Sequence, residues 1–141
     1  MKSVVICGSQ RYKKEINVFV KELRKLGVPV VFHPNFERRR ISFLSKKEKE
    51  RLKSKAYRLR IPGLVHEHFD RIRKSDVCYV YNKDGYLGVN TTLEIGFAHG
   101  LNRIIYALEP ERPIQFGGEV CRDILFSEVI DSAEELVRRL H

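Results

Sequence analysis

Short, unbroken apolar runs alternate along this chain with longer segments of helical period, and that alternation constrains its fold more than any other feature. Ser3 to Cys7, Val28 to His33, Val77 to Tyr81 and Arg103 to Leu108 are rich in β-branched and aromatic residues, and the first three stop at Gly8-Ser9, Pro34-Asn35 and the polar loop Asn82 to Gly88. Runs without polar alternation predict strands covered on both faces, as in a parallel sheet. Between the first two, Ile16, Phe19, Val20, Leu23 and Leu26 recur at helical spacing, and Gly27 supplies the stop. A loop and then a helix from about Ser45 are expected next, interrupted at Pro62-Gly63, with a further helix from about Leu64 to Lys74. Another begins near Thr91, with Leu93, Phe97 and Leu101 turned to the core. Phe126 to Ile130 reads as a fifth strand, and Ser132 to Leu140 as a closing helix capped by Ser132 or Asp131. This order predicts an α/β fold: a single doubly wound, flavodoxin- or Rossmann-like domain over residues 1–141, with a mostly parallel sheet of four to five strands.

The 141 residues, 43% of them hydrophobic, suffice for one core. A net charge of +9 points to anionic partners. Much of the excess lies between Arg38 and Arg60, which carries eleven Lys and Arg against Glu37, Glu48 and Glu50 nearby. Nucleic-acid binding is one reading of that run. With only Phe43 and Tyr57 as interleaved aromatics, a solvated helix face or a lid touching a phosphate is favoured. Cys7, Cys78 and Cys121 form no paired-cysteine motif, so neither zinc nor a disulfide framework is expected, and Cys7 and Cys78 read as buried thiols. No stretch is long and apolar enough to span a bilayer and the N-terminus runs straight into a strand, so a cytoplasmic protein is expected.

In such sheets ligands bind beyond the carboxyl ends of the strands, where the strand order reverses. Three segments should meet there. In the turn after the first strand, Gly8 lets backbone approach a ligand, Ser9 offers a hydroxyl and the following helix N-terminus favours an anion; an ordinary turn with a capping serine has equal standing. The turn lacks the dinucleotide and P-loop glycine patterns. In the loop after the third strand, Gly85 and Gly88 permit close approach, while Asn90, Thr91 and Thr92 bring polar groups to a helix N-terminus. Glu94 projects from the start of that helix, where a carboxylate suits nucleophilic attack at a sugar anomeric carbon. Thr91-x-x-Glu94 is equally a capping box, and on local pattern that reading prevails. The third segment holds His66, His68 and Asp70. His68 shares a helix face with Ile72 and is placed to exchange a proton at the site; a solvated helix is the plainer reading, and a metal held by His66 and Asp70 a weaker one.

Val5-Ile6-Cys7-Gly8-Ser9-Gln10-Arg11, Ile72 to Val80, and Gly85 to Ala98 with its Gly-x-x-x-Thr-x-x-Glu-Ile-Gly-x-Ala pattern resemble the nucleoside 2-deoxyribosyltransferase-like superfamily, which includes the 2-deoxynucleoside 5′-monophosphate N-glycosidases. The resemblance implies the same α/β fold, Glu94 as the nucleophile at C1′, and Gly8, Ser9 and Arg11 around the sugar or phosphate. It places the loop from Gly88 to Thr92 on the other side. It implies a homodimer or larger homo-oligomer, and the mechanism requires no metal or other cofactor. His68 stands where the family commonly has an Asp, with Asp70 as the nearest carboxylate, and Val5 stands where several members carry an aromatic hydroxyl. The expected activity is N-glycoside hydrolysis, or deoxyribosyl or ribosyl transfer, on a nucleoside or nucleoside 5′-monophosphate. The alternatives are a nucleotide-binding module without turnover and, less favoured, a nucleic-acid-binding protein.

Overall fold

A computed structural model of the chain describes residues 1–36, 50, 53–119 and 122–141. Five strands, β1 (Val4–Gly8), β2 (Val31–Phe32), β3 (Val77–Tyr81), β4 (Ile104–Ala107) and β5 (Glu128–Val129), form one parallel sheet in the order β2-β1-β3-β4-β5. Helices α1 (Lys13–Lys25) and α4 (Ala133–Leu140) cover one face, and α2 (Lys55–Lys74) and α3 (Val89–Gly100) the other. This is the doubly wound α/β arrangement expected from the sequence. Strand order reverses between β1 and β3, so their carboxyl ends, Gly8 and Tyr81, flank the crevice such sheets use for ligands.

Strand pleating sorts the side chains between the two faces. Val4, Ile6, Val77 and Tyr79 meet α1 and α4, while Val5, Cys7, Cys78 and Val80 meet α2 and α3. Phe69 of α2 stacks on Phe97 of α3 with ring centroids 4.3 Å apart, locking those two helices together beneath the sheet.

Several boundaries differ from expectation, each for a local reason. β2 is shorter than Val28 to His33 because Val28 N–H closes the end of α1 on the Leu23 carbonyl while Gly27 N–H bonds Arg24; Gly27 takes φ +92°, a left-handed cap. β2 and β5 are edge strands, each paired on one side. Pro62 does not break α2. Both it and Arg58, whose carbonyl loses its donor to the ring, are exposed, so water can serve that carbonyl.

The most consequential difference is in α3. It begins at Val89, with Gly88 as N-cap, two residues earlier than Thr91. Thr91, Glu94, Ile95 and Ala98 turn inward, and Leu93, expected in the core, is 52% exposed. Ser132, one of the two expected caps, accepts the Glu135 N–H at the start of α4. No helix among the described residues is long and apolar enough to cross a membrane. Most of the basic run from Arg38 to Arg60 lies outside the described residues, as does Cys121, so the nucleic-acid reading lies outside them too.

Candidate active site

Glu94 lies in the second turn of α3, facing the carboxyl end of β1. Because α3 is capped at Gly88, no capping box forms: Thr91 is a buried residue of the first turn, and Glu94 Oε2 has no hydrogen-bond partner. The carboxyl group is therefore free of the structural duty its spacing suggested. Across from it, α2 presents His68, 3% exposed, with Nε2 3.9 Å from Glu94 Oε2. Nε2 also lies 3.4 Å from Cys7 Sγ, which in turn lies 3.4 Å from Cys78 Sγ.

Burial dominates the electrostatics of this group. It raises the Glu94 carboxyl from its ordinary 4.5 to about 8, with the Cys7 thiol pulling partly back. It lowers His68 from 6.5 to about 4, helped by Arg71 and His33. The hydrogen bond with Cys78, and then burial, hold Cys7 as a thiol well above its ordinary range. At neutral pH the proton thus rests on Glu94 and His68 is a neutral imidazole.

The other expected residues divide. Gly8 is required by packing: a Cβ there would lie 2.7 Å from Ile16 Cδ1 and 3.1 Å from the Tyr81 carbonyl. Ser9 caps the short turn Gln10–Tyr12, and Arg11 lies 3.7 Å above the Tyr86 ring, tying the β1 turn to the loop after β3. Gly85 has φ +70°, and its missing Cβ makes room for the backbone of Pro110 and Arg112 instead of a ligand. Gly88 caps α3, Asn90 is exposed in its first turn, and Thr92 Oγ1 donates to the Gly88 carbonyl. Asp70 is exposed and ion-paired to Arg73, and of the two it is His68 that lies beside Glu94.

Two features were not legible in the sequence. Cys7, read as a plain core thiol, touches the catalytic candidates. Arg122 reaches Thr92 Oγ1 at 3.0 Å and the Leu87 carbonyl at 3.3 Å while paired with buried Glu111. It buttresses the entry to α3 from a segment distant in sequence.

No protein-family model matches the chain, and no curated protein matches its sequence. Solved structures do. The 2-deoxyribosyltransferase of Bacillus psychrosaccharolyticus, a biocatalyst for nucleoside synthesis, superposes with a TM-score of 0.58 at 16% identity, over 95% of this chain and 89% of that one. A conserved protein of Enterococcus faecalis V583 gives 0.57 at 15% identity, over 99% and 97%. This chain has the nucleoside 2-deoxyribosyltransferase-like fold. A CMP N-glycosidase, BcmB, of Clostridium botulinum matches with a TM-score of 0.45 at 16% identity, over 99% and 97%. Within this deoxyribosyltransferase-like sheet, Glu94, His68 and Cys7 converge beside the carboxyl end of β1, one of the two strands at the reversal of strand order.

Proposed function

We propose that the protein cleaves or transfers the N-glycosidic bond of a nucleoside or nucleoside 5′-monophosphate, with Glu94 as nucleophile. The observation that carries this reading is a buried carboxyl, its Oε2 without a hydrogen-bond partner, beside a neutral histidine at the carboxyl end of β1, in a fold shared with a 2-deoxyribosyltransferase. The proton on Glu94 passes to His68 Nε2. One transfer thereby creates the carboxylate that attacks C1′ and the imidazolium that protonates the departing base. The C1′–N bond breaks with its electrons on the base. Water, or a second base, then attacks C1′ of the glycosyl-enzyme and breaks its bond to the Glu94 oxygen, while His68, now neutral, takes the proton of the attacking group and returns it to Glu94. Ser9 and Arg11 stand beside the sugar or its phosphate, and the net charge of +9 favours the phosphorylated substrate.

Free-base release from a panel of ribo- and deoxynucleosides and their 5′-monophosphates tests the reading. Wild type should release base from at least one member, and Glu94→Gln should be slower by about a thousandfold or more, as for loss of other covalent nucleophiles. Full turnover by Glu94→Gln would sink the mechanism. The binding-module reading draws on the protonated state of Glu94 and on His68 in the family's Asp position; it predicts ligand-induced thermal stabilisation with no base release by wild type. The reading also carries a homodimer or larger homo-oligomer with it, which light scattering of the purified protein tests.

A further inference from the structure

Cys7, His68 and Glu94 meet in a way the proposed glycosidic chemistry does not require. Cys7 Sγ and Glu94 Oε2 both face the same ring nitrogen, His68 Nε2, at 3.4 and 3.9 Å. A relay of the nucleophile–base–orienter kind would put the thiol and the carboxylate on opposite ring nitrogens. Here the three donors converge on one point. Their ligating atoms all lie within 4.8 Å of one another, and the three side chains are buried. Among the described residues no other trio of His, Cys, Asp or Glu does this.

From these positions we infer a binding site for a soft divalent transition metal, of which Zn²⁺ is the type, with Cys7 Sγ, His68 Nε2 and Glu94 Oε2 as its ligands. Bond lengths of about 2.3 Å to sulfur and about 2.0–2.1 Å to nitrogen and oxygen give tetrahedron edges of about 3.3–3.6 Å between such donors. The observed 3.4 and 3.9 Å need only small side-chain shifts to match. A thiolate–imidazole–carboxylate set selects zinc-like ions over magnesium or calcium, which take oxygen ligands. Glu94 Oε2 has no hydrogen-bond partner and is available as a ligand, and the Cys78 thiol, 3.4 Å from Cys7 Sγ, is within reach to donate to the bound thiolate. Three protein ligands leave a fourth position for water, and Glu94, at 7% exposure, is the least buried of the three. A metal bound here occupies the carboxylate that the glycosidic mechanism needs, so this site and turnover exclude each other.

The test is a titration of reduced, chelator-stripped protein with Co²⁺ as the optical probe, followed by competition with Zn²⁺. One Co²⁺ per chain with a thiolate-to-cobalt charge-transfer band is expected, and Zn²⁺ should abolish the band. Cys7→Ser should lose the band and weaken Zn²⁺ binding by at least about 100-fold, since even residues that merely orient ligands contribute 10–100-fold. If Cys7→Ser does not fold by circular dichroism, Glu94→Gln serves instead: it keeps the band but should lose Zn²⁺ affinity to a similar extent. His66→Gln, an exposed histidine on the same helix, should change nothing. Binding without a sulfur band, or equal affinity in Cys7→Ser, overturns the site. Because the band is read without nucleoside, and base release is assayed in chelator, failure of one proposal is distinguishable from failure of the other.

Discussion

At the scale of the residue, the behaviour of the site turns on one shared proton. Glu94 is raised to about 8 and His68 lowered to about 4, so the pair holds a single proton between those limits. For metal-free protein, kcat/KM for base release should be level between about pH 4 and 8 and fall beyond either limit. A rate that keeps climbing above pH 9 would show that ionised Glu94 works without an acid from His68. The same shift has a stability consequence. A carboxyl raised on folding contributes fully below its unfolded value near 4.5, and that contribution is lost as pH climbs through 8. Glu94→Gln removes this loss. Chemical denaturation should find the variant more stable than wild type by on the order of 2 kcal/mol near pH 8 and nearly equal at pH 5. Equal stabilities at both pH values would mean that Glu94 ionises freely in the folded protein.

At the scale of the element, α3 decides the site by where it starts. Starting at Val89 turns Glu94 inward and Leu93 outward, a rotation of one residue or about 100°. A helix begun at Thr91 with Leu93 inward would leave Glu94 to cap its own terminus. What holds the start is the loop before it, in which Gly85 admits Pro110 and Arg112 and Arg122 grips Leu87 and Thr92. Gly85→Ala should therefore cost about 2 kcal/mol or more, because it combines a positive φ with a Cβ 2.7 Å from backbone nitrogen. Gly96→Ala, on the exposed side of α3 with nothing within 4 Å of the new Cβ, should gain about 0.5–1 kcal/mol. Thermal unfolding of the two variants checks both signs, and matching shifts would refute the distinction.

At the scale of the whole molecule, charge bears on substrate choice. A net charge of +9 attracts a nucleoside 5′-monophosphate and is indifferent to a free nucleoside. Raising ionic strength from about 0.01 M to about 1 M shrinks the Debye length from about 30 to about 3 Å. Over that range kcat/KM for a monophosphate should fall several-fold while that for the parent nucleoside stays constant. Parallel salt curves would show that the basic surface plays no part in substrate capture. The topology adds the other whole-molecule constraint, since strand order reverses between β1 and β3 and α2 and α3 cover the same face of the sheet.

The sequence by itself determined the α/β class, the parallel sheet and the position of β3, because strands covered on both faces leave short unbroken apolar runs and amphipathic helices leave a period of 3.6 in local composition. Local pattern favoured a capping box for Glu94 and a solvated helix for His68, and only the family resemblance raised Glu94 above that reading. Short edge strands were less legible, since Val28 could close a helix or open a strand and its neighbours do not decide between them. The helix through Pro62 was hidden too, because whether a freed carbonyl meets water depends on which side of the helix it lies. Only the tertiary structure decided which way α3 faces, that Asp70 points away, and that Cys7 joins Glu94 and His68. The orientation of α3 and the meeting at Glu94 depend on contacts between residues far apart in sequence, 26 positions for His68 with Glu94 and 61 for Cys7 with His68, and no local pattern records a distance across the sheet.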